Sequence, residues 1–120
     1  MIRSQNQVKG GRAMSSIFDI LGRDAAIGRI LGFIQSAEPT PTWSGWYIGI
    51  TNDPNRRLYE EHSASVSGSI VVAVESEAVA RSVEKFFIEI YGMAGNPGGG
   101  DAPRFVYAFK MGPDTNPPLR

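Results

Sequence analysis

The run Ser69-Ile-Val-Val-Ala-Val-Glu75 is apolar at every interior position. A strand with one wet face alternates polar and apolar residues, so a strand without alternation lies inside a sheet. A chain built around such a strand needs covering layers, which points to sheet and helices packed together. The residues that follow supply one layer. Glu77 to Tyr91 carry Val79, Val83, Phe86, Phe87 and Ile90 at helical spacing, and Gly92 can end that helix in a left-handed cap.

Two further strands bracket this unit. Trp43-Ser-Gly-Trp-Tyr-Ile-Gly-Ile-Thr51 is aromatic and β-branched, and so is Arg104-Phe-Val-Tyr-Ala-Phe-Lys110. Between the first strand and Ser69, Asp53-Pro54 opens a short helix through His62. Asp is the N-cap, and Pro stands in the first turn, where its missing N–H does no harm. Arg56–Glu60 and Arg57–Glu61 are i,i+4 pairs on that helix. Glu38-Pro-Thr-Pro-Thr42 is a break, since prolines so close together suit neither a helix interior nor a central strand. Upstream, residues 15–37 read as helical, with Ser15 or Ser16 as cap and Ile17, Ile20, Leu21, Ile27, Leu31 and Ile34 recurring along it. Gly22, Gly28 and Gly32 each cost about 1 kcal/mol relative to Ala, so this segment is one helix or two shorter ones.

The expected fold is α/β (α+β): a small three-stranded sheet flanked by helices, with an N-terminal helix. A single domain spans 15–112, and 1–14 and 113–120 are flexible tails. Hydrophobic residues make up 42% of the 120, which is enough for one core. The absence of cysteine excludes disulfides and thiolate zinc sites and suits an intracellular protein. No apolar run approaches the roughly 18 residues of a membrane span, and no signal peptide is legible, so a cytoplasmic protein without membrane contact is expected. Net charge is zero, so any contact with nucleic acid must come from a local cluster. Arg3, Lys9 and Arg12 form either a basic arm or part of a flexible tail.

The segment Tyr47-Ile-Gly-Ile-Thr-Asn-Asp-Pro-Asn-Arg-Arg57 resembles the second half of the GIY-YIG nuclease motif and the helix behind it. In that family a tyrosine ends a strand and an arginine follows ten positions on, here Arg57 with Arg56 beside it. His62 lies near the place of the family's histidine, one residue late. Glu84 on the later helix and Asn96 twelve positions beyond match a metal-binding glutamate and an asparagine. The resemblance covers about residues 45–100. The upstream GIY strand is not recognisable, because Gly32-Phe33-Ile34 lies in a helical stretch without the tyrosine. We expect Phe105-Val-Tyr-Ala-Phe109 to take the vacant position in the sheet, with Tyr107 supplying the missing phenol.

What the resemblance implies is a divalent-metal-dependent endonuclease that acts on nucleic acid, DNA in preference to RNA. Glu84 would hold Mg²⁺ or Mn²⁺. A single carboxylate is enough for an ion that keeps several waters and binds the substrate phosphate. Arg57, with Arg56, would bind phosphate through its planar fork. Either Tyr47 or His62 would accept the proton of the attacking water. Gly49 and Asn96 would shape the site, and Gly98-Gly99-Gly100 either cradles a phosphate or is only a loop.

Each residue also has a plainer reading. Tyr47 could be a core aromatic, Arg56 and Arg57 solvated helix charges, Glu84 a surface residue, Asn96 a turn former and His62 a helix-end cation. Two other functions stay open at this point. One is a catalytically degenerate module of the same fold that binds nucleic acid or protein. The other is a partner-interaction protein that docks through residues 15–37.

Overall fold

The structure is a computed structural model, and it describes residues 19–65, 68–96 and 102–115. In chain order the elements are β1 (Ile20–Leu21), α1 (Arg23–Ala37), a 3₁₀ turn (Trp43–Gly45) and β2 (Trp46–Thr51). A π-helical turn (Arg56–Glu61), β3 (Ser69–Val74), α2 (Glu77–Tyr91), β4 (Ala94–Gly95) and β5 (Phe105–Lys110) follow. The tails at 1–14 and beyond 115, the caps Ser15 and Ser16, and Gly98–Gly100 lie outside the described residues.

Among the described residues the sheet has five strands in the order β1-β3-β5-β2-β4, not three. The two additional strands are edges of two residues each. β1 is parallel to β3 and β4 is parallel to β2. Two residues carry no periodicity, so only their backbone pairing reveals them. The inner three strands are antiparallel, with β5 between β3 and β2. β3 is therefore interior, as its unbroken apolar run required, and β5 lies directly beside β2.

Both long helices cover one face of this sheet. Ala26, Ile27, Ile30 and Ile34 of α1 and Ala80, Val83 and Phe87 of α2 pack on Ile48, Ile50, Val72, Val74, Val106 and Ala108. Fully burying one such aliphatic side chain is worth about 1.5–3 kcal/mol. The apolar face of α1 is thus covered within this chain, which is the face a docking role would have offered to a partner. Among the described residues no helix is long and apolar enough to cross a membrane.

Element ends differ from expectation where tertiary contacts override local signals. The N-terminal helix starts at Arg23, because Ile20 and Leu21 are drawn into pairing with β3, and Ile20 stays exposed. β2 starts at Trp46, after the Trp43–Gly45 turn. α2 keeps its predicted bounds. The Ser76 hydroxyl accepts from the Val79 N–H at 3.1 Å, and Gly92 adopts φ 76°. Ile90, expected in the core, points outward and is exposed. Glu38, at the end of α1, accepts from Trp46 Nε1 at 2.9 Å and from Lys110 Nζ at 2.6 Å. These two bonds tie the helix to β2 and β5, the strands that carry the site.

Candidate active site

The second face of the sheet is covered by the segment after β2. Asp53 caps it as expected: its Oδ1 accepts from the Arg56 N–H at 3.2 Å and its carbonyl from the Arg57 N–H at 3.0 Å. The chain then widens into a π turn, in which the His62 N–H reaches the Arg57 carbonyl at 3.0 Å. Single π turns inside helices are frequent at functional sites. The wider register moves the expected Arg56–Glu60 pair one residue on, so that Arg56 meets Glu61 as well as Asp53. Arg57 and Glu61 keep their i,i+4 relation, with Nε 3.0 Å from Oε1. The distance is that of an ion pair, but the buried Nε–H is not aimed at the carboxylate and makes no hydrogen bond.

β2 and β5 together lay a floor of aromatic side chains. Tyr47 stands opposite Phe109 and Gly49 opposite Tyr107. Residues two apart in a strand share a face, so Tyr47, Gly49, Tyr107 and Phe109 all point away from the helices. The Tyr107 and Phe109 rings are stacked 5° from parallel with centroids 6.5 Å apart. The His62 ring lies over this floor, 4.9 Å from Phe109, 5.0 Å from Tyr47 and 5.6 Å from Tyr107. Leu58 and Ala64 fill the space beside it.

One polar contact organises the assembly. His62 Nε2 lies 2.9 Å from the Tyr107 hydroxyl. Burial pushes the Tyr107 phenol well above its ordinary value, and the nearby Tyr47 phenol pushes the same way. The Arg57 guanidinium beside it pulls it down, and the Glu84 carboxylate adds to the upward push. Tyr47 of β2 and Arg57 and His62 of the segment after it therefore lie around Tyr107 of β5. Glu84 stands on α2, on the helix-covered face of the sheet, and is the smallest of the influences on the phenol.

Glu84 does not face solvent as a surface helix residue would. It is 3% exposed, and burial raises its carboxyl to about 7 against the opposing charge of Arg81. A buried carboxylate of this kind is receptive to a divalent ion, whose charge would offset the cost of ionisation. Among the described residues no three His, Asp or Glu side chains group into a metal cage. An ion here would rest on Glu84, waters and a substrate phosphate, a donor set that suits Mg²⁺.

The remaining expected residues are placed as follows. Arg56 is half-exposed and engaged with two carboxylates. Asn96 is exposed at the end of β4. Phe109 and Glu61 were not foreseen as parts of the site. The period-2 spacing of Phe109 from Tyr107, and the i,i+4 spacing of Glu61 from Arg57, were the available signals.

No family model, curated protein or solved structure gives a significant match to the chain.

Proposed function

We propose that this chain is a divalent-metal-dependent endonuclease of GIY-YIG type, in which β5 and Tyr107 replace the unrecognisable first strand and its tyrosine. The observation that carries this reading is the gathering of Tyr47, Arg57 and His62 around the Tyr107 hydroxyl. Each residue alone has an ordinary structural explanation. Three chemically suited groups around one buried hydroxyl are better explained by function.

The roles follow from the geometry. Arg57 keeps a buried N–H without a hydrogen bond, and its guanidinium can turn its fork to phosphate oxygens. A donor of this kind contributes about 3 kcal/mol when charge develops on the phosphoryl group. Tyr107 is held protonated by burial, so it is not a standing phenolate base. It can instead relay: as it accepts the proton of the attacking water, it passes its own proton to His62 Nε2. With the Nδ1–H tautomer His62 is the final acceptor. A bound Mg²⁺ or Mn²⁺ would supply positive charge to neutralise a phosphate. Glu84 is the residue that would hold it.

A second reading, a degenerate module that binds without cutting, is favoured by one observation. Tyr47, His62, Glu84 and Tyr107 are only 1–3% exposed. Purified protein incubated with plasmid and single-stranded substrates in Mg²⁺ or Mn²⁺ separates the two. Nicks that vanish on chelation support hydrolysis. Metal-independent binding without nicks over hours overturns it in favour of the module.

A further inference from the structure

β3 is covered unevenly along its outer edge. β1 pairs only with Ala73 and Val74, so among the described residues no strand lies beside Ile70 and Val71 on that side. Exposure follows the pairing. Val72, Ala73 and Val74 are buried, whereas Ile70 and Val71 are only half-buried. Neighbours in a strand take opposite faces, and Ile70 packs with the helix-covered cluster while Val71 packs with the aromatic one.

The backbone at this edge is aimed outward. The Val74 N–H donates to the Arg104 carbonyl at 2.9 Å, and the Lys110 N–H donates to the Gly68 carbonyl at 3.3 Å. Even-numbered residues of β3 therefore bond toward β5. The Glu75 N–H donates instead to the Leu21 carbonyl of β1 at 3.1 Å, so odd-numbered residues face β1. Val71 thus turns its N–H and C=O into the lane that β1 occupies at Ile20. Such an edge is a template for another strand. A second copy or a separate peptide would have to share the lane with the chain arriving at Ile20.

The sequence before β1 fits this lane in the existing register. Ile20 pairs with Ala73, so three residues back on both strands Ile17 falls opposite Ile70, and Phe18 falls opposite Val71. The two half-buried residues of β3 thus meet two large apolar residues. Ile17 would share the face of Ile70, where an open groove of about 630 Å³ is lined by Gly28, Arg29, Gly32, Phe33, Ser36 and Ile70. Phe18 would share the face of Val71. We propose that residues 16–19 extend β1 along β3 and close this edge with the chain's own strand, in place of the helix that spacing predicts there. In that ladder the Ile17 carbonyl accepts from the Val71 N–H, and the Asp19 N–H donates to the Val71 carbonyl. The inference stands apart from the nuclease reading.

Residue-resolved amide exchange of the full chain by NMR tests it, because Val71 reports the edge and Val72 the interior. In the parent, at concentrations where light scattering gives a monomer, the Val71 amide is expected to be protected. Ile17→Asp combined with Phe18→Asp is expected to speed Val71 exchange by at least about tenfold, while Val72 and Val106 keep their protection. If the double variant unfolds, nuclear Overhauser contacts between the Ile17 and Val71 backbones in the parent decide, and their absence contradicts the proposal. A parent Val71 amide that exchanges at the rate of an unstructured peptide overturns it. So does protection that survives in a folded double variant. Protection that appears only as a dimer forms gives the edge to a second copy and overturns it as well.

Discussion

Tyr107 lies flat across Gly49. A Cβ built on that glycine would stand closer than 3.0 Å to the phenol carbon Cζ and its hydroxyl oxygen. The missing side chain on β2 is what allows the Tyr107 hydroxyl to reach His62 Nε2. Gly49 belongs to the run Tyr47-Ile48-Gly49 of β2.

Gly49→Ala therefore forces the Tyr107 ring out of place in a closely packed layer. Overpacking of this kind costs about 1–3 kcal/mol. Urea denaturation should show the midpoint shifted down with an unchanged slope. An alanine variant as stable as the parent would mean that the ring can move freely, and the site would lose its positional logic.

Glu84 should oppose stability and support function. Its ordinary value is 4.5 and its folded value is raised to about 7, so the folded chain keeps a proton that the unfolded chain releases. Stability then falls as pH rises from about 4.5 to about 7, by about 3 kcal/mol at most. Glu84→Gln should flatten that slope, leave the protein more stable at pH 8 and abolish nicking. Denaturation across pH 4–8 with parallel cleavage assays checks both halves.

Glu38 carries the opposite sign. The hydrogen bonds from Lys110 and then Trp46 hold its carboxyl below the ordinary range. Its stabilisation is present above pH 4.5 and is lost as pH falls through the lowered folded value. Glu38→Gln should accordingly weaken the fold at pH 7 and change it little at pH 3, as followed by thermal unfolding.

The two adjacent arginines should separate cleanly. Arg57 touches the Tyr107 environment, whereas Arg56 is bound up with Asp53 and Glu61 at the surface. Arg57→Ala is expected to lower the cleavage rate by about 100-fold. Arg56→Ala should change it by less than about threefold, because exposed ion pairs contribute little. Equal effects from both would indicate a diffuse phosphate-binding surface.

Much of this arrangement was legible from residue order. The apolar β3 run marked an interior strand, and Gly92 marked the end of α2, whereas the Ser76 cap at its start is a finding of the structure. The aromatic β5 was expected beside β2 because it had no other partner, and that is where it pairs. Other features were not legible for physical reasons. Two-residue edge strands have no pattern to detect. The π turn arises from packing Leu58 and His62 onto the floor, which helical periodicity does not encode. Burial of His62 and Glu84 contradicts their polarity, and only tertiary contacts could disclose it.

The nicking rate of Tyr107→Phe in Mg²⁺, at a temperature where variant and parent are both folded, bears most directly on the account. Loss of the hydroxyl that Tyr47, Arg57 and His62 surround should reduce cleavage by about 100-fold or more while the sheet stays intact. A Tyr107→Phe variant that nicks as fast as the parent, or a parent that nicks nothing in any divalent metal, would contradict it.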